Sequence, residues 1–257
     1  MKNIIVSYAD GVRVITLNRP EKKNAFNKEM YDEVIHALKE AASDENTVIT
    51  VITGNGDYYT SGNDIADTSN KVNDGLENVI NEASARVRDF VSAFIEYPKI
   101  LVAAVNGPAI GIGVTTLALC DVVYASDKAT FNTPFVPLGI SAEGCSTYTF
   151  PRIMGSTKAG DLLYFNYKMT ANEAKDCGLV SKVFPHSKFS EEVFGHIKKM
   201  SKLPAKSLMC TKALVRRWDL DDLRQANEAE VETLKERWSS EDFIQGLLSF
   251  ISRRNKL

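Results

Sequence analysis

The sequence predicts an α/β fold in which a mostly parallel β-sheet is followed by a helical C-terminal part. Residues 48–53 and 100–105 are short, unbroken runs of apolar residues and threonine, which is typical of strands buried on both faces of a parallel sheet. A glycine-rich loop follows each run, and a helix-periodic segment, residues 79–97, precedes the second one. Repeated units of strand, loop and helix favour parallel strands joined by right-handed crossovers.

The N-terminal segment predicts a β-hairpin followed by an amphipathic helix. Asp10-Gly11 separates two β-rich runs, residues 4–8 and 12–17, as a tight turn between antiparallel strands would. Asn27 is a suitable N-cap for the helix. Phe26 and Tyr31 can pack together across its first turn, and four apolar residues at helical spacing form its buried face: Met30, Val34, Leu38 and Ala41.

The chain after Ser146 is mainly helix-periodic, which predicts a different organisation for its C-terminal end. We place the core fold in residues 1–195 and a helical region for oligomerisation or active-site closure in residues 196–257, both within one domain. The loop-like stretch at residues 66–75 is interpreted as a mobile surface segment. Predicted helices occupy residues 156–165, 171–177, 189–201 and 205–218.

Composition argues against several classes of function. The 257 residues carry a formal net charge of -2, and no run of lysine and arginine with interleaved aromatics suggests a nucleic-acid partner. The four cysteines are widely spaced, which is neither a disulfide framework nor a metal site. The apolar stretch at residues 100–125 is interrupted by a turn signal at Asn106-Gly107-Pro108, so we expect no membrane span.

The two glycine-rich loops are the strongest candidates for chemistry in the residue pattern itself. The sequence lacks a GxSxG elbow, an HExxH motif and a P-loop, and its three histidines lie in helix-like or loop stretches. Glycines after a buried strand allow backbone N–H groups to approach a ligand, and two converging N–H groups form an oxyanion hole. Tight turns with close packing are the alternative interpretation of residues 58–65 and 106–114.

Four segments together resemble the enoyl-CoA hydratase/isomerase (crotonase) superfamily: "LNRPEKKNAFN", "SGNDI", "VNGPAIGIGVTTLALCDVVYAS" and "ATFNTPF". The resemblance covers essentially the whole chain. It implies a crotonase (ClpP-like) spiral of ββα units, a C-terminal helical trimerisation region and an acyl-CoA thioester substrate. It also implies a homotrimer or a dimer of trimers, with no cofactor because coenzyme A is part of the substrate.

The resemblance also assigns expected roles to individual residues. The oxyanion donors would be the backbone N–H groups of Asn63 and Ile112, where commoner members carry alanine and glycine. The residues expected to bind the substrate lie in the N-terminal loop, along the first glycine-rich loop and beside the second: Lys22, Lys23, Ala25, Ser61, Gly62, Asn63, Asp64, Ile65, Gly111 and Phe135.

Departures from the family pattern indicate which reaction to expect. Hydratases of this family use two glutamates on water, and the matching positions here are Thr115 and Phe135. Glu143 instead falls where Δ3,Δ2-enoyl-CoA isomerases carry a single base. The phrases "NGDYYTSGND" and "EGCSTYTFPRIM" are especially similar to the peroxisomal isomerase branch. Without the resemblance, Glu143 is one of 33 acids, and a solvated loop carboxylate is the simpler interpretation.

The sequence therefore predicts an isomerase that converts 3-enoyl-CoA to 2-trans-enoyl-CoA in the β-oxidation of unsaturated fatty acids. We expect apolar neighbours of Glu143 to raise its basicity by desolvation, namely Phe135, Val136, Leu138 and Ile140. Another crotonase reaction (2-enoyl-CoA hydration or dienoyl-CoA isomerisation) and a non-catalytic module that binds CoA or a protein remain alternatives. The C-terminal Asn255-Lys256-Leu257 is a variant of the peroxisomal Ser-Lys-Leu signal, with the mitochondrion as the alternative location.

Overall fold

Residues 1–64 and 76–254 are described by a computed structural model of the chain. Strands in these residues form a six-stranded sheet and a three-stranded sheet. The strands are β1 (Ile4–Ala9), β2 (Val12–Leu17), β3 (Ile49–Gly54), β4 (Ile100–Val105), β5 (Ala109–Ile110), β6 (Val122–Ser126), β7 (Thr130–Asn132), β8 (Met169–Thr170) and β9 (Lys182–Phe184).

The larger sheet has the strand order β1-β2-β3-β4-β6-β9. β1 and β2 form the predicted antiparallel hairpin, with Ile4 opposite Leu17, and every other neighbouring pair is parallel. The prediction of a mostly parallel sheet is therefore confirmed. β9 was missed, because three residues are too few to show strand periodicity. In the smaller sheet, β7 pairs with β5 in parallel and with β8 antiparallel.

The helices follow the predicted pattern, with one exception next to the second glycine-rich loop. There the repeat of strand, loop and helix predicts a helix, and the structure has one four-residue helical turn followed by a 3-10 turn at Thr116–Leu119. The helices are α1 (Lys28–Ser43), α2 (Leu76–Ile95), α3 (Ile112–Thr115), α4 (Ser146–Met154), α5 (Ser156–Leu163), α6 (Ala171–Asp176), α7 (Phe189–Met200), α8 (Ala205–Arg216), α9 (Leu220–Trp238) and α10 (Glu241–Arg254).

The start of α1 is stabilised as the sequence predicts. The Asn27 side chain accepts a hydrogen bond from the backbone N–H of Met30 at 3.0 Å, which satisfies one of the otherwise unpaired N–H groups of the first turn. The rings of Phe26 and Tyr31 lie 5.0 Å apart between centroids. Tyr31 also meets the ring of Phe90 edge-on, so this contact joins α1 to α2.

Apolar side chains cover both faces of the larger sheet, as the unbroken runs predict. On one face, Ile52 and Ala103 belong to the main core with α1 and α2. On the other face, Val51 and Val102 pack in a second cluster that includes Phe189 and other residues of α7. Alternate residues of each strand thus point to opposite cores, which positions the carboxyl ends of β3 and β4 and the loops that follow them.

The C-terminal helices pack against the core. The Asn227 side chain on α9 donates to the backbone oxygen of Arg88 on α2 at 3.1 Å, and Arg88 pairs with Glu228 at 3.0 Å. α7 runs through positions 195 and 196, where the sequence analysis places the boundary between the core and the helical region. α9 also reaches the start of α4, where the Cys145 N–H donates to the Glu230 carboxylate at 2.6 Å.

Two observations on the described ranges bear on the function classes. In residues 1–64 and 76–254, no helix is both long enough and apolar enough to cross a membrane. The same residues contain no group of three or more His, Cys, Asp or Glu side chains placed to hold a metal ion. The predicted surface segment at 66–75 and the C-terminal Asn255-Lys256-Leu257 lie outside the described residues.

Candidate active site

The two glycine-rich loops lie against each other at the carboxyl ends of β3 and β4. The backbone N–H of Ile110 donates to the oxygen of Thr60 at 3.0 Å, and Thr60 forms a β-bridge with Ala109. Gly62 and Gly113 allow this approach: a Cβ at Gly62 would lie 2.9 Å from the Ile110 oxygen, and one at Gly113 would lie 2.0 Å from the Thr60 side chain. The close approach requires glycine at both positions.

The backbone N–H groups of Asn63 and Ile112 are free to act on a ligand. Asn63 and Phe26 form a parallel β-bridge, whose hydrogen bonds are made by the residues on either side of Asn63. The Phe26 N–H donates to the Gly62 oxygen at 2.8 Å, and the Asp64 N–H donates to the Phe26 oxygen at 2.9 Å. The N–H of Asn63 itself therefore points away from Phe26. Ile112 begins α3, where the first N–H groups have no acceptor within the helix. Neither amide donates to another residue of the described ranges. Two unpaired amides on adjoining loops suit an oxyanion hole.

Glu143 lies in the loop before α4, directly against α3. Gly144 and Cys145 both adopt positive φ angles, 70° and 60°. A Cβ at Gly144 would lie 2.2 Å from the Thr115 hydroxyl oxygen, so only glycine permits this contact. The loop therefore brings Glu143 close to the turn that begins at Ile112.

The Glu143 carboxyl group is buried without any polar partner. Its residue is 1% exposed, and neither carboxyl oxygen has a hydrogen-bond partner among the described residues. Burial, followed by the charge of Glu230, raises the pKa of Glu143 to about 8. A carboxyl group with this pKa can take up and release a proton near neutral pH, so the expected desolvation of Glu143 is confirmed.

The apolar residues around this loop contribute unequally to that burial. Phe135 is 3% exposed, whereas Val136 is 55% exposed and faces outward. The expectation that Val136 shields Glu143 is therefore wrong, because the 3-10 turn Val136–Leu138 directs that side chain away from the core.

The two positions where hydratases carry their acids are buried and hold no carboxylate. Thr115 is fully buried on α3. Phe135 packs beside the second loop, since a Cβ at Gly111 would lie 4.0 Å from the Phe135 ring. The site therefore offers no second carboxyl group at either place.

The residues expected to bind coenzyme A are brought together at the outer rim of the site. Ser61 N–H donates to the Lys23 backbone oxygen at 2.9 Å, and the exposed Lys23 ammonium group lies 5.1 Å from the centre of the Tyr58 ring. Lys22 is also exposed, whereas Ala25 is buried. Ile65 lies outside the described residues.

Asp64 carries a negative charge on the same rim, where phosphate groups would be repelled. Arg19 pairs with it at 3.0 Å between guanidinium nitrogen and carboxylate oxygen, and both side chains are mostly buried. The pair offsets the charge of Asp64, and the exposed Lys22 and Lys23 of the rim follow directly after the exposed Glu21.

Two residues of the site were missed as such in the sequence. The Tyr31 hydroxyl donates to the Asn63 side-chain oxygen, and Tyr31 is 5% exposed. Burial, together with the nearby Glu143, raises the pKa of this phenol, so the group stays neutral. Glu230 on α9 accepts hydrogen bonds from the loop that carries Glu143. Its sequence signal is an acid at helical spacing among the buried residues of α9, which include Leu223, Val231 and Leu234.

Burial of Glu143 predicts an unusual dependence of stability on pH. The folded chain holds a proton on Glu143 up to about pH 8, whereas an unfolded chain releases it near 4.5. The contribution of Glu143 to the free energy of unfolding is therefore fully present below pH 4.5, and it is lost as the pH rises toward 8. Relative to wild type, Glu143→Gln is expected to gain about 1.4 kcal/mol of unfolding free energy per pH unit in that window.

Urea unfolding of both proteins between about pH 5 and 8, at one protein concentration, measures this difference. The exposed Glu192 on α7 provides a control, because Glu192→Gln removes a carboxylate without changing a buried site. A difference between Glu143→Gln and wild type that stays constant with pH would contradict the burial of an unpaired carboxyl group.

Comparison with known proteins places this arrangement in context. The family model for enoyl-CoA hydratase/isomerase matches residues 7–256. Enoyl-CoA delta isomerase 2 of Rattus norvegicus is 50% identical over 256 residues, which are 100% of this chain and 65% of that protein. The peroxisomal enoyl-CoA delta isomerase 3 of Mus musculus is 48% identical over 257 residues, covering 99% of this chain and 80% of that protein.

Solved structures show the same architecture. An enoyl-CoA hydratase/isomerase from Pseudoalteromonas atlantica T6c superimposes with a TM-score of 0.89 and 32% identity, over 98% of each chain. The chain thus spans nearly the whole of a solved bacterial protein but just under two thirds of the length of the rat relative.

Proposed function

Because the chain belongs to the enoyl-CoA hydratase/isomerase family, we propose that it is a Δ3,Δ2-enoyl-CoA isomerase. One observation carries the proposal: Glu143 is a buried carboxyl group with no hydrogen-bond partner among the described residues, and it lies beside the turn that begins with the unpaired N–H of Ile112. Delta isomerases at 48–50% identity support this reaction over others of the family. The predicted roles of Asn63, Ile112 and Glu143 enter the mechanism as proposals.

The first step is removal of a proton from C2 of a 3-enoyl thioester. The Glu143 carboxylate forms an O–H bond as the C2–H bond breaks, and the electron pair moves into the C2–C1 bond and onto the thioester oxygen. The N–H groups of Asn63 and Ile112 donate to that oxygen and stabilise its charge, which is the largest single contribution in acyl chemistry of this kind.

The second step returns the same proton to C4. The electron pair flows back from the oxygen, a double bond forms between C2 and C3, and the C3–C4 double bond is lost as C4 gains hydrogen. Glu143 ends as the carboxylate, as it began, so the reaction as written consumes no water and needs no metal or redox cofactor. A pKa of about 8 suits this shuttle, because the carboxyl group must both hold and release the proton near neutral pH.

Hydration of a 2-enoyl thioester requires more than this site contains. Water must be deprotonated by one group and a proton delivered to C2 by another, and the hydratase positions hold a hydroxyl and a phenyl ring at Thr115 and Phe135. The apolar surface at Phe135 also disfavours an ordered water there. We therefore expect double-bond migration to exceed hydration.

Assembly and location are part of the proposal. Several large apolar side chains on the C-terminal helices and the turn between α8 and α9 are exposed in the single chain, and this supports burial against other copies in a homotrimer or a dimer of trimers. They are Leu214, Val215, Trp218, Ile244 and Leu248. A peroxisomal location is supported by the name of the mouse relative.

Assays with three thioesters test the proposed reaction. We expect turnover of 3-hexenoyl-CoA to 2-trans-hexenoyl-CoA, followed by the rise in absorbance of the conjugated thioester. Turnover of 2-hexenoyl-CoA to the 3-hydroxy product and of 3,5-dienoyl-CoA should be at least about 10²-fold slower, since each lacks an acid–base partner here. Turnover confined to the 2-enoyl or the dienoyl substrate would overturn the proposal, and binding of all three without turnover would indicate a non-catalytic module.

A further inference from the structure

We propose that Glu230, on a helix far along the chain from the predicted catalytic loop, is a positioning residue for Glu143. The inference rests on the proposed isomerase function, and it assigns part of the active site to the C-terminal helical region. Its basis is a set of three hydrogen bonds between α9 and the residues that follow Glu143.

The Glu230 carboxylate satisfies the start of α4. Cys145 N–H donates to Oε2 at 2.6 Å, and Thr147 donates to Oε1 through its N–H at 2.8 Å and its hydroxyl at 2.5 Å. The N-cap of α4 is Cys145, whose own side chain makes no capping bond. Glu230 therefore takes over, from another helix, the function of an N-cap side chain.

The helix that carries Glu230 is itself fixed to the core. Glu230 is 5% exposed on the buried stripe of α9, one position before Val231. A few residues earlier, Asn227 donates to the Arg88 oxygen and to the Ser92 hydroxyl on α2, both at 3.1 Å. The Glu143 loop is thus fixed relative to α2 through α9, in addition to the hydrogen bond from the Ser146 hydroxyl to the Glu143 backbone oxygen.

The two buried glutamates differ in what surrounds them. Burial raises the pKa of Glu230, while the three donors that face it act the other way and favour its charged form; the Glu143 carboxyl group has no such partner in the described residues. A charged Glu230 disfavours charge on Glu143 and keeps it a strong base.

The other titratable groups around Glu143 are neutral or act from farther away. Tyr31 faces Glu143 from α1 and Cys145 from its own loop, and burial raises the pKa of both. The charge of Arg86 on α2 acts on Tyr31, where it opposes the rise in the pKa of the phenol. The charge on Glu230 is therefore the one whose removal should change the titration of Glu143.

Three variants separate charge, hydrogen bonding and general effects on α9. Glu230→Gln removes the charge and places an amide NH2 group, which is a donor, opposite the N–H donor of Cys145 or of Thr147. Thr147→Val removes one hydrogen bond and keeps the charge. Glu232→Gln, two positions along the same helix, changes an exposed glutamate that lies 3.9 Å from Arg88.

Two measurements are made on each variant. The first is the pH profile of kcat/KM for 3-hexenoyl-CoA. The second is the titration of the Glu143 carboxyl group in the protein without substrate by infrared difference spectroscopy, in which the Glu143 band is identified by its loss in Glu143→Gln. For Glu230→Gln we expect the pKa of Glu143 to fall by about one unit in both readouts, with kcat about tenfold lower. For Thr147→Val we expect about a threefold lower kcat with no change in pKa. Glu232→Gln should match wild type.

Each part of the proposal has an outcome that would overturn it. An unchanged infrared titration in Glu230→Gln would remove the charge effect, and an unchanged kcat in both Glu230→Gln and Thr147→Val would remove the positioning role. If Glu230→Gln does not fold by circular dichroism, Thr147→Val still decides the positioning role. A wild-type protein without isomerase activity would refute the proposed function alone, because the infrared titration needs no substrate.

Discussion

Glu143→Gln is expected to lower kcat for 3-hexenoyl-CoA by about 10³-fold or more, which is within the range for loss of a single acid–base group that has no substitute nearby. Glutamine has nearly the same size, so the loop and the binding surface keep their shape. The affinity for the CoA thioester, measured by calorimetry with the 2-trans product, should change less than about threefold, because the substrate-binding residues on the rim are untouched.

The control for this experiment is the exposed Glu192 on α7, where the same change should leave kcat and affinity unaltered. Isomerisation by Glu143→Gln at the wild-type rate would show that another group carries the proton. Equal loss of turnover and of binding would instead show that Glu143 supports the structure of the site.

Gly62→Ala is expected to lower kcat by about 10²-fold, the usual effect of displacing one oxyanion donor. Gly62 precedes Asn63, has a φ of +81°, and its Cβ would meet the Ile110 oxygen at 2.9 Å. The first loop must shift away from the second to relieve that contact, and the Asn63 N–H moves with it. Steady-state kinetics with 3-hexenoyl-CoA measures the effect, with kcat falling more than KM rises.

Gly155 provides a matched control for the backbone strain of this change. Its φ is +78°, nearly that of Gly62, but a Cβ there meets nothing within 4 Å. Gly155→Ala should therefore cost about 1 kcal/mol of stability and leave kcat at the wild-type value. If both variants lose activity to the same degree, strain alone is responsible and the oxyanion assignment loses its support.

Most of the fold follows from local patterns in the sequence. The hairpin around Asp10-Gly11, the cap at Asn27 and the unbroken runs of β3 and β4 each have a short-range cause, and the structure confirms all of them. β9 was not predicted, because its position depends on pairing with β6, which lies far away in the chain. Tertiary pairing of that kind leaves no periodic signal in three residues.

The candidate site was predictable to the extent that a family motif marks its residues. The loops around Asn63 and Ile112 and the loop of Glu143 carry such motifs, and the structure brings them together. Their chemical roles stay predictions. The bonds from the Glu143 loop to Glu230 and from Tyr31 to Asn63 could not be foreseen, because each depends on which helix faces which loop.

The attachment of the loop to α9 has a consequence for protein synthesis. The loop around Glu143 leaves the ribosome well before Glu230, so the unpaired N–H groups of Cys145 and Thr147 await an acceptor that is synthesised later. The proposed proton transfer by Glu143 would then reach its full rate only after α9 has docked on α2.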